Sequence, residues 1–247
     1  VTIEPGAALY LGAGVSIISY SKVAARGTAL NPIRIQRANP QKSWGVFGVV
    51  SASGESNWEY VETAGGSGTI QNGMTFTGMV SFFHSGVTVV NSSFMGAEDD
   101  DSLNVKYGKA VIRNSLWKGN AHDGIDLDWP ERGSEIIGNR FQDNGIGGGD
   151  GGDCIDISRT NSRIKQNTID GCTDKGISVG EESSPIIINN TIANVSIGIA
   201  VKDLSDARIE DTTIPNADVG IDAYRKHPIY GGATARVSNA IMNNVKE

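Results

Sequence analysis

The sequence predicts an all-β protein, a single-stranded parallel β-helix solenoid with about 22 residues in each coil. Three observations predict it. The first is a period. Leu103, Ile125, Ile155, Ile177, Ile199 and Ile221 each open a segment of the type G-I-x-[AVL], at steps of 22, 30, 22, 22 and 22 residues. A fixed period of this size marks repeats that bury their inner faces by stacking. The second is the texture of the segments, which are short, rich in Ile and Val, alternating, and bounded by Gly, Asn and Asp. That pattern reads as strand and turn, with no helical periodicity. The third is a column of asparagines. Phe94, Leu116, Phe141, Ile169, Ile192, Ile214 and Ile241 each close an apolar segment. Two residues before them stand Ser92, Asn114, Asn139, Asn167, Asn190, Thr212 and Asn239. An internal asparagine ladder would bond amides to one another and to the backbone at each turn.

The elements follow in chain order as one domain, residues 1–247. Residues 1–78 hold less regular coils, in which Trp44 and Trp58 are expected to pack loops or coils, with sugar stacking as the alternative. Residues 79–247 hold the regular coils. The one long step contains an inserted glycine-rich loop, "GIGGGDGG", near 145–152. The last segment, "ARVSNAIMNNVKE", lacks an obvious cap, so more protein is expected to follow it. The opening "VTIEPG" has no signal peptide and no initiator methionine, and reads as a processed product.

Composition narrows the function. The 247 residues carry a formal charge of −7, which argues against a nucleic-acid surface and suits cation binding or solubility. No apolar run is long enough to span a membrane. Thirty-two glycines and seven prolines suit a fold of many tight turns. Cys154 and Cys172 are too few for a disulfide framework and read as two buried thiols, with a single bridge as the alternative. His84, His122 and His227 are scattered and read as surface or packing residues.

The period also stacks carboxylates. One residue beyond each Ile anchor the column reads Asn104, Asp126, Asp156, Ser178, Ala200, Asp222. Two residues further it reads Lys106, Asp128, Ser158, Gly180, Lys202, Tyr224, and two before the anchor Asp101, Asp123, Asp153, Lys175. Coils stack about 4.8 Å apart, so one outward surface collects these aspartates, with Lys106, Lys175, Arg159 and His122 at its edges. Like charges so close repel. A shared proton would relieve them and supply acid/base chemistry. A bound Ca2+ would relieve them as well, held by Asp123, Asp126, Asp150, Asp153 and Asp156. The stretch "GGDGGDCID", residues 148–156, fits the nonapeptide of calcium-binding β-rolls once. The other reading makes the aspartates turn and surface residues flanked by Lys and Arg.

The chain resembles the right-handed parallel β-helix superfamily with the pectin-lyase-like fold. The phrase "TIEPGAALYLGAGVSI…VAARGTALNPIRI" resembles the opening coils of secreted bacterial surface proteins, and the repeats from "DSLNV" to "GIDAY" resemble inner coils. Polygalacturonases carry N-T-D-G-I-D, D-D-C and G-H-G-I-S-I-G on successive coils, and "HDGIDLD", "GGDCIDIS" and "DKGISVGE" look similar. By that match Asp123 and Asp153 are catalytic aspartates. Gly152 and Lys175 depart from the pattern, and no Arg-x-Lys follows in "GIAVKDL". Pectate-lyase-like enzymes use Ca2+ and a basic residue. By that resemblance Asp126, Asp153 and Asp156 hold the ion and Lys106, Lys175 or Arg159 takes the proton. The resemblance thus implies an extracellular or cell-surface protein that binds or processes polysaccharide, acidic in kind, as a lyase or a hydrolase. Its alternative is a non-catalytic structural or adhesive module.

Overall fold

A computed structural model describes residues 1–148 and 151–247. It is a right-handed parallel β-solenoid. Three short strands and three corners make each regular coil. Every strand pairing among the described residues is parallel except one hairpin, Thr69–Gln71 with Met74–Phe76. No helix among them is long and apolar enough to cross a membrane.

The predicted anchor column is present in register. Leu103, Ile125, Ile155, Ile177, Ile199 and Ile221 pair in sequence, coil upon coil. All are fully buried except Ile221, which is partly buried near the last coils. The column continues towards the N-terminus through Val80, Phe47 and Ile17, so the first coils obey the same rule despite their irregular sequence. Trp44 and Trp58 are fully buried, as expected.

The second apolar column differs from the expectation by one residue in two coils. Trp117, not Leu116, stacks between Phe94 and Phe141, with ring centroids 5.1 Å apart on both sides. Met242, not Ile241, pairs with Ile214. The asparagine column shifts accordingly. Ser115, not Asn114, donates its amide N–H to Asn139 Oδ1 at 3.0 Å, while Asn114 and Asn239 face solvent. From there the ladder runs as predicted. The Asn139 and Asn167 amide N–H groups donate to the side-chain oxygen of the next asparagine at 2.9 Å each. Asn139 and Asn167 also donate their Nδ2 groups to that same oxygen, at 3.1 and 3.0 Å. A corner turns the chain away from its own sheet, so its backbone groups find partners only in the next coil.

Two further corners solve the problem with other residues. Asn120 donates to Asn144 at 2.7 Å at one of them. At the other, serines accept from the preceding coil, as Thr160 to Ser183 and Ser183 to Ser205. Cys154 and Cys172 are joined in a disulfide with Cα atoms 5.7 Å apart, so the reading as free thiols does not hold. Cys154 precedes the strand Ile155–Ser158 and Cys172 ends the strand Thr168–Cys172, so one circuit of the coil returns the chain to its starting corner. Sequence spacing alone hides that closure.

Ile177→Ala leaves a cavity in a fully buried column and should lower stability by about 2–5 kcal/mol in denaturant unfolding. Asn167→Ala orphans partners on two coils and should cost about 1–3 kcal/mol. An Asn167→Ala variant that melts with the parent would contradict the ladder.

Candidate functional site

The strands Asp101–Lys106, Asp123–Asp128, Ile155–Ser158 and Lys175–Gly180 lie side by side on one sheet. Their alternation sends the Ile anchors inward and the neighbouring residues outward. The register places Asn104, Asp126, Asp156 and Ser178 in one row and Lys106, Asp128, Ser158 and Gly180 in the next, as the sequence predicts. Asp126 accepts from Asn104 Nδ2 at 2.6 Å. Asp156 Oδ1 is sealed from solvent and has no hydrogen-bond partner.

The third predicted row is less exposed than expected. Asp101, Asp153 and Lys175 are buried, and Asp101 and Lys175 open their strands two residues before the anchor, a spacing that alternation assigns to the anchor's own face. Asp123 Oδ1 accepts the Asp153 N–H at 2.7 Å, and Asp153 Oδ1 accepts the Lys175 N–H at 3.0 Å. Lys175 Nζ stands 3.4 Å from Asp153 and also pairs with Asp174. Asp101 Oδ2 is buried without a partner. Carboxylate oxygens of Asp123, Asp153 and Asp156 lie within 4.8 Å of one another. Asp150, the remaining predicted ligand, lies outside the described residues. His122 Nδ1 lies 3.1 Å from the Gly151 carbonyl at the margin of the cluster. Lys106 forms an ion pair with Asp128 at 3.0 Å, and Arg159 sits on the rim, donating to Glu182 at 2.7 Å.

Burial makes ionisation of this cluster unfavourable. It pushes Asp101 up to about 8, with Asp100 adding to the effect. Burial also raises Asp123, helped by Asp153 and Asp156, and Asp126, helped by Asp101 and Asp128, well above the usual carboxylate range. Asp153 rises to about 6, through burial and then Asp156, while Lys175 opposes the shift. Burial works against the charge on Lys106 and Lys175, but their aspartate neighbours outweigh it and hold both ammonium groups above their usual range. The face therefore combines protonated carboxyls, one carboxylate poised near neutrality and two firmly charged lysines.

Sequence reasoning missed a feature along the edge of this face. Six strands on successive coils are each followed by a non-glycine residue with a left-handed backbone, His84, Tyr107, Trp129, Arg159, Glu181 and Asp203, with φ between 39° and 57°. Such a conformation costs about 1–3 kcal/mol and is kept where the surroundings fix it. Here it is fixed from the next coil, as Tyr107 N–H donates to the Asp128 carbonyl and Trp129 N–H to the Ser158 carbonyl. The kink lines these side chains up in one column, in which the aromatic members stand exposed along the rim. His84 and Tyr107 stack at 4.7 Å, Tyr107 and Trp129 at 5.4 Å, and the Arg159 guanidinium lies 5.7 Å from the Trp129 ring centroid. Tyr107 and Trp129 remain 38% and 44% exposed, so the stack offers ring surface to a ligand. A cleft of about 500 Å³ opens beside it, lined by Trp129, Arg132, Arg159 and Glu182 among others. A larger hollow of about 700 Å³ lies against Asn114, Arg140 and Gln142 on another part of the surface and brings no pair of carboxylates together.

The family model described as periplasmic copper-binding protein (NosD) matches residues 68–245. No curated protein matches the chain. Among solved structures, the fold is similar to the alginate lyase from Paenibacillus sp. str. FPU-7, with a TM-score of 0.44 and 14% identity over 98% of this chain and 91% of that one. It is also similar to the enzymatically active domain of Bacteriophage CBA120 tailspike protein 2, with a TM-score of 0.51 and 10% identity. That match covers 96% of this chain and 43% of the tailspike chain, so this chain spans less than half of its length. At these identities the likeness is one of fold.

The electrostatics set a pH dependence. In an unfolded chain these aspartates titrate near 3.8, and in the folded chain they hold their protons to higher pH. The folded state therefore binds more protons between these limits, and the contribution of the cluster to stability falls as pH rises from about 4 towards 8. Asp101→Asn keeps the neutral form at every pH. It should raise the melting temperature at pH 8, leave it nearly unchanged at pH 4, and flatten the decline between, as read by calorimetry. A lower melting temperature of this variant at pH 8 would show Asp101 to be ionised and paired.

Proposed function

The chain belongs to the family of the periplasmic copper-binding protein NosD, and from that premise we propose that it is an extracellular β-helix that binds and processes an acidic polysaccharide on its aspartate face. The observation that carries this reading is the aromatic rim beside a buried carboxylate cluster. Stacked Tyr107 and Trp129 present flat apolar surface next to a row of hydrogen-bonding groups. That pairing suits sugar rings, which have apolar faces and hydroxyl edges.

The residues divide the chemistry between them. Asp153, with its value near 6, is ionised at neutral pH and can take a proton. Asp123 and Asp126, raised well above the usual range, keep theirs and can give one to a leaving oxygen. Two groups whose surroundings push their proton affinities apart are what acid/base cleavage needs. Lys106 and Lys175 are held charged by their neighbours, which suits them to bind a uronate carboxylate. Arg159 holds the rim against Trp129. Asp123, Asp153 and Asp156 form an all-oxygen set of the kind that takes Ca2+, and such an ion would replace protons as the relief of their repulsion. Asp126 would lie beside it.

The copper of the family's name does not fit this face. Thiolate and thioether sulfur select Cu(I), and the two cysteines are bonded to each other. The group on this face able to hold an ion, Asp123–Asp153–Asp156, offers oxygen alone. No step of the proposed reaction runs through copper.

A screen against acidic polysaccharides, with and without EDTA, tests the reading by following unsaturated product in the ultraviolet and new reducing ends. Trp129→Ala should weaken binding by more than about 1 kcal/mol, roughly fivefold. Ca2+ should raise the melting temperature of the parent by mass action, and the double change Asp126→Asn, Asp156→Asn should remove both that rise and turnover. Binding without product would leave a glycan-holding wall, and neither binding nor product would overturn the reading.

A further inference from the structure

The rim column changes character beyond Arg159. Its next two members are Glu181 and Asp203, which follow the strands Lys175–Gly180 and Val195–Lys202 on adjacent coils. Over them folds the segment 225–233, which joins the strands Thr213–Tyr224 and Thr234–Ser238. Asp203 pins that segment, as its Oδ1 accepts the N–H groups of Lys226 and His227 at 2.7 and 2.9 Å. The same hydrogen bonds bring the His227 imidazole over the carboxylates.

Asp203 is fully buried, and its second oxygen, Oδ2, has no hydrogen-bond partner. A buried carboxylate oxygen left bare is costly, and each such atom calls for a partner. Its nearest candidate is His227 Nε2 at 4.0 Å, beyond hydrogen-bond reach. Carboxylate oxygens of Glu181 and Asp203 and a ring nitrogen of His227 all lie within 4.8 Å of one another. Arg159 is engaged with Glu182 and Tyr230, and Lys202 with Ser178 at 2.6 Å.

We propose that Glu181, Asp203 and His227 form a binding site for one divalent transition-metal ion of the Zn2+ or Cu2+ class. One imidazole and two carboxylates form a borderline donor set, distinct from the all-oxygen cluster on the aspartate face. Ligand atoms about 2.1 Å from a tetrahedral ion stand about 3.4 Å apart. The 4.0 Å gap between His227 Nε2 and Asp203 Oδ2 thus closes by a small movement of an exposed side chain. Glu181 is half-buried and His227 exposed, so the ion reaches its ligands from solvent and keeps positions open to water. Its effect is to staple the segment 225–233 to the coils of Glu181 and Asp203.

The test is titration of tag-free, metal-stripped protein with Zn2+ alone, followed by calorimetry and thermal unfolding, with a parallel Cu2+ sample read by electron paramagnetic resonance. The parent should bind one Zn2+ with a rise in melting temperature. Its Cu2+ spectrum should show coupling to one nitrogen. His227→Ala removes an exposed side chain and should fold as the parent does, yet weaken Zn2+ at least about tenfold and abolish the nitrogen coupling. Asp203→Asn provides a second variant that keeps the Oδ1 acceptor. The double change Asp126→Asn, Asp156→Asn should leave Zn2+ binding intact, and His227→Ala should leave glycan binding intact, so this site and the polysaccharide face stand or fall separately. Absence of saturable Zn2+ binding, or binding undiminished by both His227→Ala and Asp203→Asn, would overturn the proposal.

Discussion

The backbone at a solenoid corner cannot be satisfied within its own coil, and that constraint sets the rest of the structure. A corner residue has left one sheet and has not yet entered the next, so its N–H and C=O face the interior or the neighbouring coil. Asn139, Asn167 and Asn190 meet the need with side-chain oxygens that accept backbone N–H groups of the preceding coil at about the distance of a backbone hydrogen bond. This bonding works only if each coil returns to the same corner at the same residue. The register is thereby locked, and every other column, apolar or polar, inherits it.

Stacked isoleucines and stacked aspartates are two results of that one register. Ile125 over Ile155 gains buried apolar contact, while Asp126 over Asp156 gains only repulsion. The fold accepts the second because the first, repeated coil after coil, outweighs it. Burial first, and then the neighbouring carboxylates, raise proton affinity here, with Asp101 pushed up to about 8 and Asp153 to about 6. A group that stays protonated near neutrality is ready to give its proton, and a cluster of such groups is ready to exchange protons for a cation. The same stacking that makes the scaffold rigid thus gathers groups of raised proton affinity on one face.

Much of this was legible in the sequence. The anchor column, two of the aspartate rows and the ladder from Asn139 to Asn190 follow from counting, because the period is nearly constant there. Counting failed where two neighbouring residues fit a column equally well. Leu116 and Trp117 are both apolar, and only the packed interior, with Phe94 and Phe141 on either side, selects the tryptophan. The disulfide was hidden because Cys154 and Cys172 are separated by 18 residues, which reads as distance until the coil closes. Burial of Asp153 and Lys175 was missed because they stand two residues before the anchor, where a period of two returns a side chain to the anchor's face. His227 looked isolated for the same kind of reason, since it meets Asp203 through a loop that has no place in the repeat.

The rim shows how one repeat position carries several chemistries. A left-handed residue follows each of six successive strands and sets its side chain in one column whatever that side chain is. The backbone geometry is supplied by the next coil, so the residue itself is free to vary. Along the stack the position passes from His84, Tyr107 and Trp129, which offer ring surface, through Arg159, which covers the last ring, to Glu181 and Asp203, which offer oxygen. Neighbours in this column stand one coil apart, so the identity of each determines what touches the next. An aromatic pair makes a platform, and an acidic pair beneath a crossing loop makes a cage. The solenoid fixes spacing and direction, and a single column of side chains then divides the surface into regions of different function.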